Sequence, residues 1–375
     1  MRKAIGGKMA GAAKAQSKGE ADGFINFVNK AVTPFHAVSE ASKRLEHAGF
    51  ERVSEKAQWS RLQRGGRYYF SRNGSTLVAF AVGSEFDPSS ADGSGFVCIG
   101  SHTDSPTLKL KPSPHTTSEG VQLLGVQQYG GLLLYPMFDR TFALAGRVIV
   151  RNQTTNKLEA HLVNTESAVL TIPSLAIHLN RTVNSEGFTP KVQEHMLPIH
   201  SLVGSSPSAM GAGDADAASE STHSVNASPI FQKLAKQIGV NAEDIIEHEL
   251  QLVDTQPAQR IGLDKSLISS GRIDNLASVY QSIEALINTS SDADLRNEKN
   301  VRCMVAFDNE EVGSRSQHGA GGSVLLDFFS RMAQSFASGS PSGAFERACR
   351  MSFICSSDSS HVRTCTPLLL CKGEN

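Results

Sequence analysis

Short apolar runs alternate along the chain with segments whose apolar positions recur at helical spacing, which indicates an α/β fold. The runs at 96–100, 304–307 and 351–355 are rich in β-branched and aromatic residues, so they predict three buried strands. Residues 68–83 predict a hairpin that turns at an Asn-Gly pair. Strands are therefore expected in both halves of the chain.

Two helices have clear boundaries in the sequence. Thr33 can cap the first helix, Pro34 suits its opening position, and Gly49 can end it. The second helix starts near Asp274 or Asn275, either of which can serve as its N-cap. Its apolar residues recur at helical spacing: Leu276, Val279, Ile283 and Leu286.

The middle of the chain has a different pattern. Short alternating stretches predict antiparallel strands there, and residues 204–228, rich in Ser, Ala, Gly and Asp, predict a disordered loop. The simplest architecture is an α/β domain made of 23–107 and 256–375, with helices on both faces of a mixed sheet. A mainly β domain at 108–255 interrupts it.

Composition narrows the function classes. Charged residues make up 19% of the chain and the formal net charge is -1, so neither nucleic acid nor an anionic membrane is an expected partner. The cysteines lack the spacing of zinc ribbons or disulfide scaffolds, which favours a reducing compartment. Residues 1–22 predict a disordered basic N-terminus, with an organelle transit peptide as the alternative.

Each of the three predicted strands is followed by residue types that bind metals or transfer protons. His102 and Asp104 follow the first strand, Glu310 and Glu311 the second, and Asp358 the third. Because ligands of open α/β sheets bind beyond the carboxyl ends of the strands, these side chains predict one convergent site. Imidazole and carboxylate ligands without cysteine suit Zn²⁺, Mn²⁺ or Co²⁺.

The individual motifs differ in how specific they are. His102-x-Asp104 suits a metal-binding imidazole oriented by a carboxylate, although a loop histidine beside a capping aspartate has the same pattern. In Glu310-Glu311 the two side chains diverge, so one can bind a metal while its neighbour serves as a general base. Asp274 can either cap its helix or bridge two cations.

The order of these motifs resembles that of the aspartyl aminopeptidases, a family of two-metal exopeptidases. The similarity runs almost continuously from Pro34 to His361. The matching segments are 34–37 (PFHA), 101–106 (SHTDSP), 129–131 (YGG), 138–140 (FDR), 172–179 (IPSLAIHL), 254–257 (DTQP), 272–276 (RIDNL) and 308–314 (DNEEVGS). No single segment is decisive, but their number and order are highly specific.

The resemblance implies a set of metal ligands. His102, Asp274 and Asp358 are then the ligands of one metal, and Asp274 bridges to a second. Glu311 is then a ligand of the second metal. The family's cofactor is zinc, two ions per subunit, with manganese and cobalt as alternatives.

The resemblance also implies catalytic roles, an assembly and a substrate. Glu310 is then the general base that deprotonates the water attacking the scissile carbonyl, and Asp104 orients His102. His178 reaches into the active site of a partner subunit, and the inserted domain is the dimerisation domain of a homo-oligomer, a dodecamer in the family. The implied reaction removes N-terminal Asp or Glu from peptides, and the implied location is cytoplasmic. The sequence identifies no basic residue for an acidic-substrate pocket.

The resemblance ends at His361, because residues 362–375 have no counterpart to the family's continuation. We therefore expect the second metal site to lack its last histidine ligand and to be weakened. His318 and His361 are substitute ligands that the sequence offers, although local structural roles suit both better. Two alternatives stay open: a related two-metal aminopeptidase of other specificity, and a non-catalytic, oligomerising homologue.

Overall fold

The computed structural model of the chain describes four stretches: residues 19–90, 93–204, 228–338 and 342–360. The predicted disordered loop at 204–228 and the predicted basic N-terminus lie largely outside them. Residues 19–22, which we expected to be disordered, are helical. Phe24 and Phe27 of the same helix pack against Tyr280, with ring centroids 5.8 and 5.7 Å away, and this contact stabilises the earlier start.

Helices and strands alternate as predicted. The helices in the described residues are α1 (19–30), α2 (Pro34–His47), α3 (Val183–Glu186), α4 (Val192–His195), α5 (Pro229–Ile238), α6 (Ile273–Asn288), α7 (Asp292–Leu295), α8 (Val324–Phe336) and α9 (Ala344–Arg350). The strands are β1 (Glu51–Arg52), β2 (Arg67–Arg72), β3 (Thr76–Val82), β4 (Phe96–His102), β5 (Thr107–Ser118), β6 (Val121–Tyr129), β7 (Thr141–Arg151), β8 (Leu158–Asn164), β9 (Leu170–Thr171), β10 (Ile199–Leu202), β11 (Ile245–Asp254), β12 (Gln259–Ile261), β13 (Leu267–Ser269), β14 (Val301–Phe307) and β15 (Phe353–Ser356). The predicted hairpin is confirmed as β2 and β3. The first predicted helix is confirmed as α2, where the Thr33 side chain accepts a hydrogen bond from the backbone N–H of His36.

Six strands form a mixed central sheet in the order β1-β2-β3-β14-β4-β15. Strand β4 lies between β14 and β15 and runs parallel to both. These are the three strands predicted from the apolar runs, and their carboxyl ends therefore lie along one edge of the sheet.

Helices cover both faces of this sheet. Successive residues of β3 alternate between two cores: Leu77 packs with α2 and α6 on one face, and Val78 packs with α8 on the other. On the second face Phe328 of α8 contacts Phe80, with ring centroids 4.9 Å apart. The predicted α/β class, a mixed sheet with helices on both faces, is confirmed.

The third predicted strand is not buried as we expected. Strand β15 lies at the edge of the sheet, where Phe353 and Ile354 are 66% and 51% exposed. Among the described residues only β4 pairs with it. An apolar run indicates a strand, but it does not reveal the position of that strand within the sheet.

The middle of the chain forms a second, antiparallel sheet from β5 to β11. Its strand order is β11-β5-β6-β10-β9-β7-β8, and a further pairing of β11 with β7 closes it into a barrel. Helix α5 packs against the barrel through Phe231 and Leu234. Strand β5 follows shortly after β4, so the barrel and the central sheet meet beside His102. No helix in the described residues is both long and apolar enough to cross a membrane.

Candidate metal centre

Three predicted ligand residues converge at the carboxyl edge of the central sheet. His102 ends β4, Asp358 follows β15, and Asp274 lies at the start of α6. His102 Nε2 is 3.3 Å from Asp274 Oδ1 and 3.5 Å from Asp358 Oδ1. One candidate ligand atom from each residue lies within 4.8 Å of the others, so the three can surround a single cation.

The backbone at the start of α6 directs Asp274 toward His102. Asp274 and Asn275 have non-helical backbone angles, and no side chain caps the helix with a hydrogen bond. Ser105 Oγ donates to the carbonyl oxygen of Asp274 at 2.8 Å, and Asn275 Nδ2 donates to the carbonyl oxygen of Ser357 at 2.8 Å. The Asp274 carboxylate therefore lies in the cluster, and its role as a bridge between two cations stays a prediction.

Asp104 orients the imidazole ring of His102. The Nδ1 atom of His102 lies 3.0 Å from the carbonyl oxygen of Asp104 and 3.4 Å from its Oδ1. Both partners are acceptors, so Nδ1 carries the proton and Nε2 is the nitrogen available to a cation. His102 is 4% exposed, so packing also fixes the ring.

Asp104 itself is fully buried and accepts hydrogen bonds from three residues. Its Oδ1 accepts from the backbone N–H of Glu310 at 3.1 Å. Its Oδ2 accepts from the backbone N–H of Glu311 at 3.1 Å and from Tyr129 Oη at 2.7 Å. Burial alone would raise the pKa of this carboxyl group, but His102 and these donors hold the pKa below its ordinary value. Asp104 therefore stays charged and connects β4 to the Glu310-Glu311 turn.

The two adjacent glutamates have different surroundings. The Glu310 side chain is 45% exposed, and its Oε2 lies 3.8 Å from His102 Nε2. Glu311 is half-buried, and burial together with the charge of Asp104 raises its pKa to about 7. Glu311 is not part of the three-residue cluster, and the described residues form no second such group of His, Cys, Asp or Glu.

The sequence-based prediction assigned no role to two residues of this site. Tyr129, at the end of β6, donates to Asp104, and its hydroxyl accepts from Asn309 Nδ2 at 3.0 Å. Asn309 Oδ1 accepts in turn from Ser316 Oγ at 2.7 Å, which holds the turn after β14. Each residue lies in a matching motif, Tyr129 in 129–131 (YGG) and Asn309 in 308–314 (DNEEVGS), but neither motif reveals which residues the two side chains contact.

Gly130 lies against Glu311, and this contact can be tested. A Cβ at Gly130, whose φ is +73°, would lie 2.9 Å from Glu311 Cβ and 3.1 Å from Glu311 Oε2. Gly130→Ala should therefore displace Glu311 and lower peptide turnover by about 10–100-fold. Gly131→Ala is the matched control, because a Cβ there meets no atom within 4 Å. Equal rates for the two variants would contradict the importance of this contact.

Two further predicted histidines lie apart from the cluster. His178 is exposed between β9 and α3, and within the described residues it forms no ion pair with the cluster. The role of His178 in a partner subunit stays a prediction. Burial and the positive charges of Arg72 and Arg147 lower the pKa of His318. His361 lies outside the described residues.

The charges around His102 favour a bound cation. Burial disfavours the imidazolium, yet Asp104, Glu310 and Asp274 together raise the pKa of His102 to about 9. Burial and the neighbouring Asp358 raise the pKa of Asp274. A site with this excess of negative charge and with one imidazole and two carboxylate ligands fits zinc, whose catalytic sites have three protein ligands.

Three converging candidate ligands beside a free carboxylate, at the carboxyl edge of an α/β sheet, are the arrangement expected of a metal-dependent hydrolase. A family model described as Aminopeptidase I zinc metalloprotease (M18) matches residues 27–367. The chain belongs to this family of zinc aminopeptidases, which confirms the predicted family and enzyme class.

The chain is similar in sequence and in fold to several known proteins. The chain is 43% identical over 355 residues to the probable aspartyl aminopeptidase of Ricinus communis, covering 90% of this chain and 71% of that protein. Its fold matches that of a chain in the Ape4 and Nbr1 complex with a TM-score of 0.84 at 32% identity, covering 92% of this chain and 64% of that one. The fold also matches that of a chain in the S. cerevisiae mApe1 dodecamer, with a TM-score of 0.74 at 28% identity. The match covers 92% of this chain and 72% of that chain. The chain thus spans less than two thirds of the chain that it matches in the Ape4 and Nbr1 complex.

Proposed function

We propose that this chain is a zinc-dependent aminopeptidase that removes N-terminal Asp or Glu from peptides in the cytosol. The observation that carries the proposal is the cluster of His102, Asp274 and Asp358, with the Glu310 carboxylate 3.8 Å from His102 Nε2. Membership of the zinc aminopeptidase family supports the reaction type. Similarity to the Ricinus communis protein supports the preference for acidic residues.

The chain supplies ligands for zinc at the edge of the sheet. His102, Asp274 and Asp358 would hold one ion, and Glu311 would help to hold a second. Bound zinc supplies a Lewis acid that polarises the scissile carbonyl and lowers the pKa of water. The ring of His102 stays in position because Asp104 accepts the Nδ1 proton.

Glu310 moves the protons of the reaction. Its carboxylate accepts a proton from water as the water oxygen bonds to the carbonyl carbon. The same carboxyl group then donates the proton to the amine nitrogen as the C–N bond breaks. The exposure of Glu310 leaves its carboxylate accessible to a peptide that lies over the cluster.

We propose in addition that the active form is a homo-oligomer in which His178 completes the site of a partner subunit. His178 is flanked by exposed apolar side chains, Ile177 at 47% and Leu179 at 76% exposure, which a partner subunit would cover. The dodecameric assembly named for yeast mApe1 supports the proposal.

Hydrolysis of aminoacyl p-nitroanilides by the purified chain tests this function. We expect turnover that depends on zinc, manganese or cobalt, with a kcat/KM for the Asp substrate at least about tenfold above that for Ala. A preference for Ala or Leu would contradict the proposed specificity and favour a related aminopeptidase. A folded oligomer that cleaves none of the substrates would favour the non-catalytic homologue.

A further inference from the structure

The two edges of the central sheet differ in their protection against further pairing. Strand β1, at one edge, consists of two charged residues, Glu51 and Arg52. Strand β15, at the other edge, has the uncharged sequence FICS, and all four of its residues are exposed. Within the described stretches β15 pairs with β4 alone, so its outer edge is free. Charged residues normally keep such an edge from pairing, and their absence from β15 favours the addition of a further strand.

Apolar surface extends from β15 onto its neighbour β4. Phe353 lies opposite Val97 in the pairing of these strands, so the two side chains are on one face of the sheet. They are 66% and 42% exposed, although β4 is an inner strand. On the other face Ile354, opposite the buried Cys98, is 51% exposed. A strand added to the free edge would therefore cover apolar side chains on both faces.

The chain itself continues with a segment that fits this edge. Residues 366–371 (TPLLLC) lie outside the described residues, carry no charge and are mainly apolar. In an extended conformation Leu368 and Leu370 would point to one face and Leu369 to the other. Pro367 is compatible with the first position of an edge strand, where no N–H is needed for pairing. The segment thus offers apolar side chains to both faces.

The connection from β15 to this segment is long enough for the segment to return along the strand. Nine residues, 357–365, link Ser356 to Thr366, and at about 3.3 Å per residue they can span about 30 Å. The four residues of β15 extend over only about 13 Å. A short tether also gives an effective concentration of roughly millimolar, which favours this segment over a second copy of the chain in dilute solution.

We propose that residues 366–371 add to the free edge of β15 as an antiparallel seventh strand of the central sheet. The backbone of β15 then pairs on both sides, and the three leucines cover the apolar side chains of β15 and β4. Asp358 lies between β15 and the added strand, so the pairing fixes both ends of the segment that carries this candidate ligand. The proposal does not depend on the proposed activity.

Hydrogen exchange of the β15 amides, measured by mass spectrometry, tests this pairing. The double variant Leu368→Asp/Leu370→Asp places two charges on one face of the added strand and should release it. The β15 amides should then exchange at least about tenfold faster than in the unaltered chain. Leu263→Asp/Leu326→Asp is the matched control, because both leucines are already exposed, at 109% and 59%, in other parts of the chain. Its β15 amides should exchange at the unaltered rate.

Cross-linking of the unaltered chain is a second measurement, and it needs no substitution. Cys355 is exposed on β15, Cys365 precedes the segment and Cys371 ends it. Wherever Cys355 lies opposite a residue of the segment, one of the other two cysteines is within about three residues of that position, or about 10 Å. A bis-maleimide of about that length should therefore join Cys355 to Cys365 or Cys371 of the same chain.

Three outcomes would overturn the proposal. The first is equal exchange of the β15 amides in the unaltered chain and in Leu368→Asp/Leu370→Asp. The second is the absence of the cross-link from the unaltered chain. The third is a cross-link that joins isotope-labelled to unlabelled chains in a mixture, because it would assign the edge to a second copy. A thermal melt checks that the double variant folds, and if it does not, the cross-link decides.

Discussion

Replacement of Glu310 by glutamine should remove most peptide hydrolysis while zinc binding stays intact. Glutamine has nearly the same shape as glutamate but cannot accept the proton of the attacking water. General acid–base groups contribute about 10²–10⁴-fold to turnover, so kcat should fall by about that factor. The zinc content of the variant, measured by plasma mass spectrometry, should equal that of the wild type, because Glu310 is not one of the three clustered ligands.

Glu186→Gln is the matched control for this substitution, since Glu186 is an exposed glutamate in the short helix α3. Its kcat should equal that of the wild type. If Glu310→Gln keeps more than about a tenth of the wild-type kcat, Glu310 is not the general base. If Glu310→Gln loses its zinc, the carboxylate acts as a ligand and the division of roles within Glu310-Glu311 is wrong.

His102→Ala should abolish zinc binding at the centre and hydrolysis together. His102 is the only nitrogen ligand in the described cluster, and the loss even of a residue that supports a ligand costs about 10–100-fold in metal affinity. Zinc at 100 times its Kd stabilises the native wild-type protein by about 2.7 kcal/mol. A thermal melt with and without zinc should therefore show a higher Tm in the wild type and no increase in His102→Ala.

The control here is His47→Ala, an exposed histidine at the end of α2, which should show the wild-type response to zinc. A zinc-dependent rise in Tm that persists in His102→Ala would show that the ion binds elsewhere. Loss of hydrolysis with an unchanged rise in Tm would make His102 a catalytic residue rather than a ligand.

The sequence predicted the position of the cluster because its cues are local. An apolar strand followed by His102 or Asp358 marks the end of that strand, and parallel strands bring their carboxyl ends to one edge. The start of α6 was equally clear from its helical periodicity, which brought Asp274 into consideration although two roles for it were open. These features depend on residues that are close together along the chain, so they can be predicted from the sequence.

Other features depend on residues that are distant along the chain, and they could not be predicted. Tyr129 comes from the barrel and meets Asp104 only after the two sheets have packed together. Gly130 is required by the close approach of Glu311, which follows a strand of the other sheet. The exposure of β15 depends on the order of strands in the sheet, which an apolar run does not encode.

Titration of metal-free protein with zinc, with hydrolysis of the Asp p-nitroanilide measured at each step, tests the central claim most directly. We predict that the rate is negligible without metal, rises in proportion to bound zinc and reaches a plateau when the sites are filled. An Asp substrate that is cleaved equally fast before and after removal of the metal would contradict the account. Zinc that binds at the centre without producing any hydrolysis would contradict it as well.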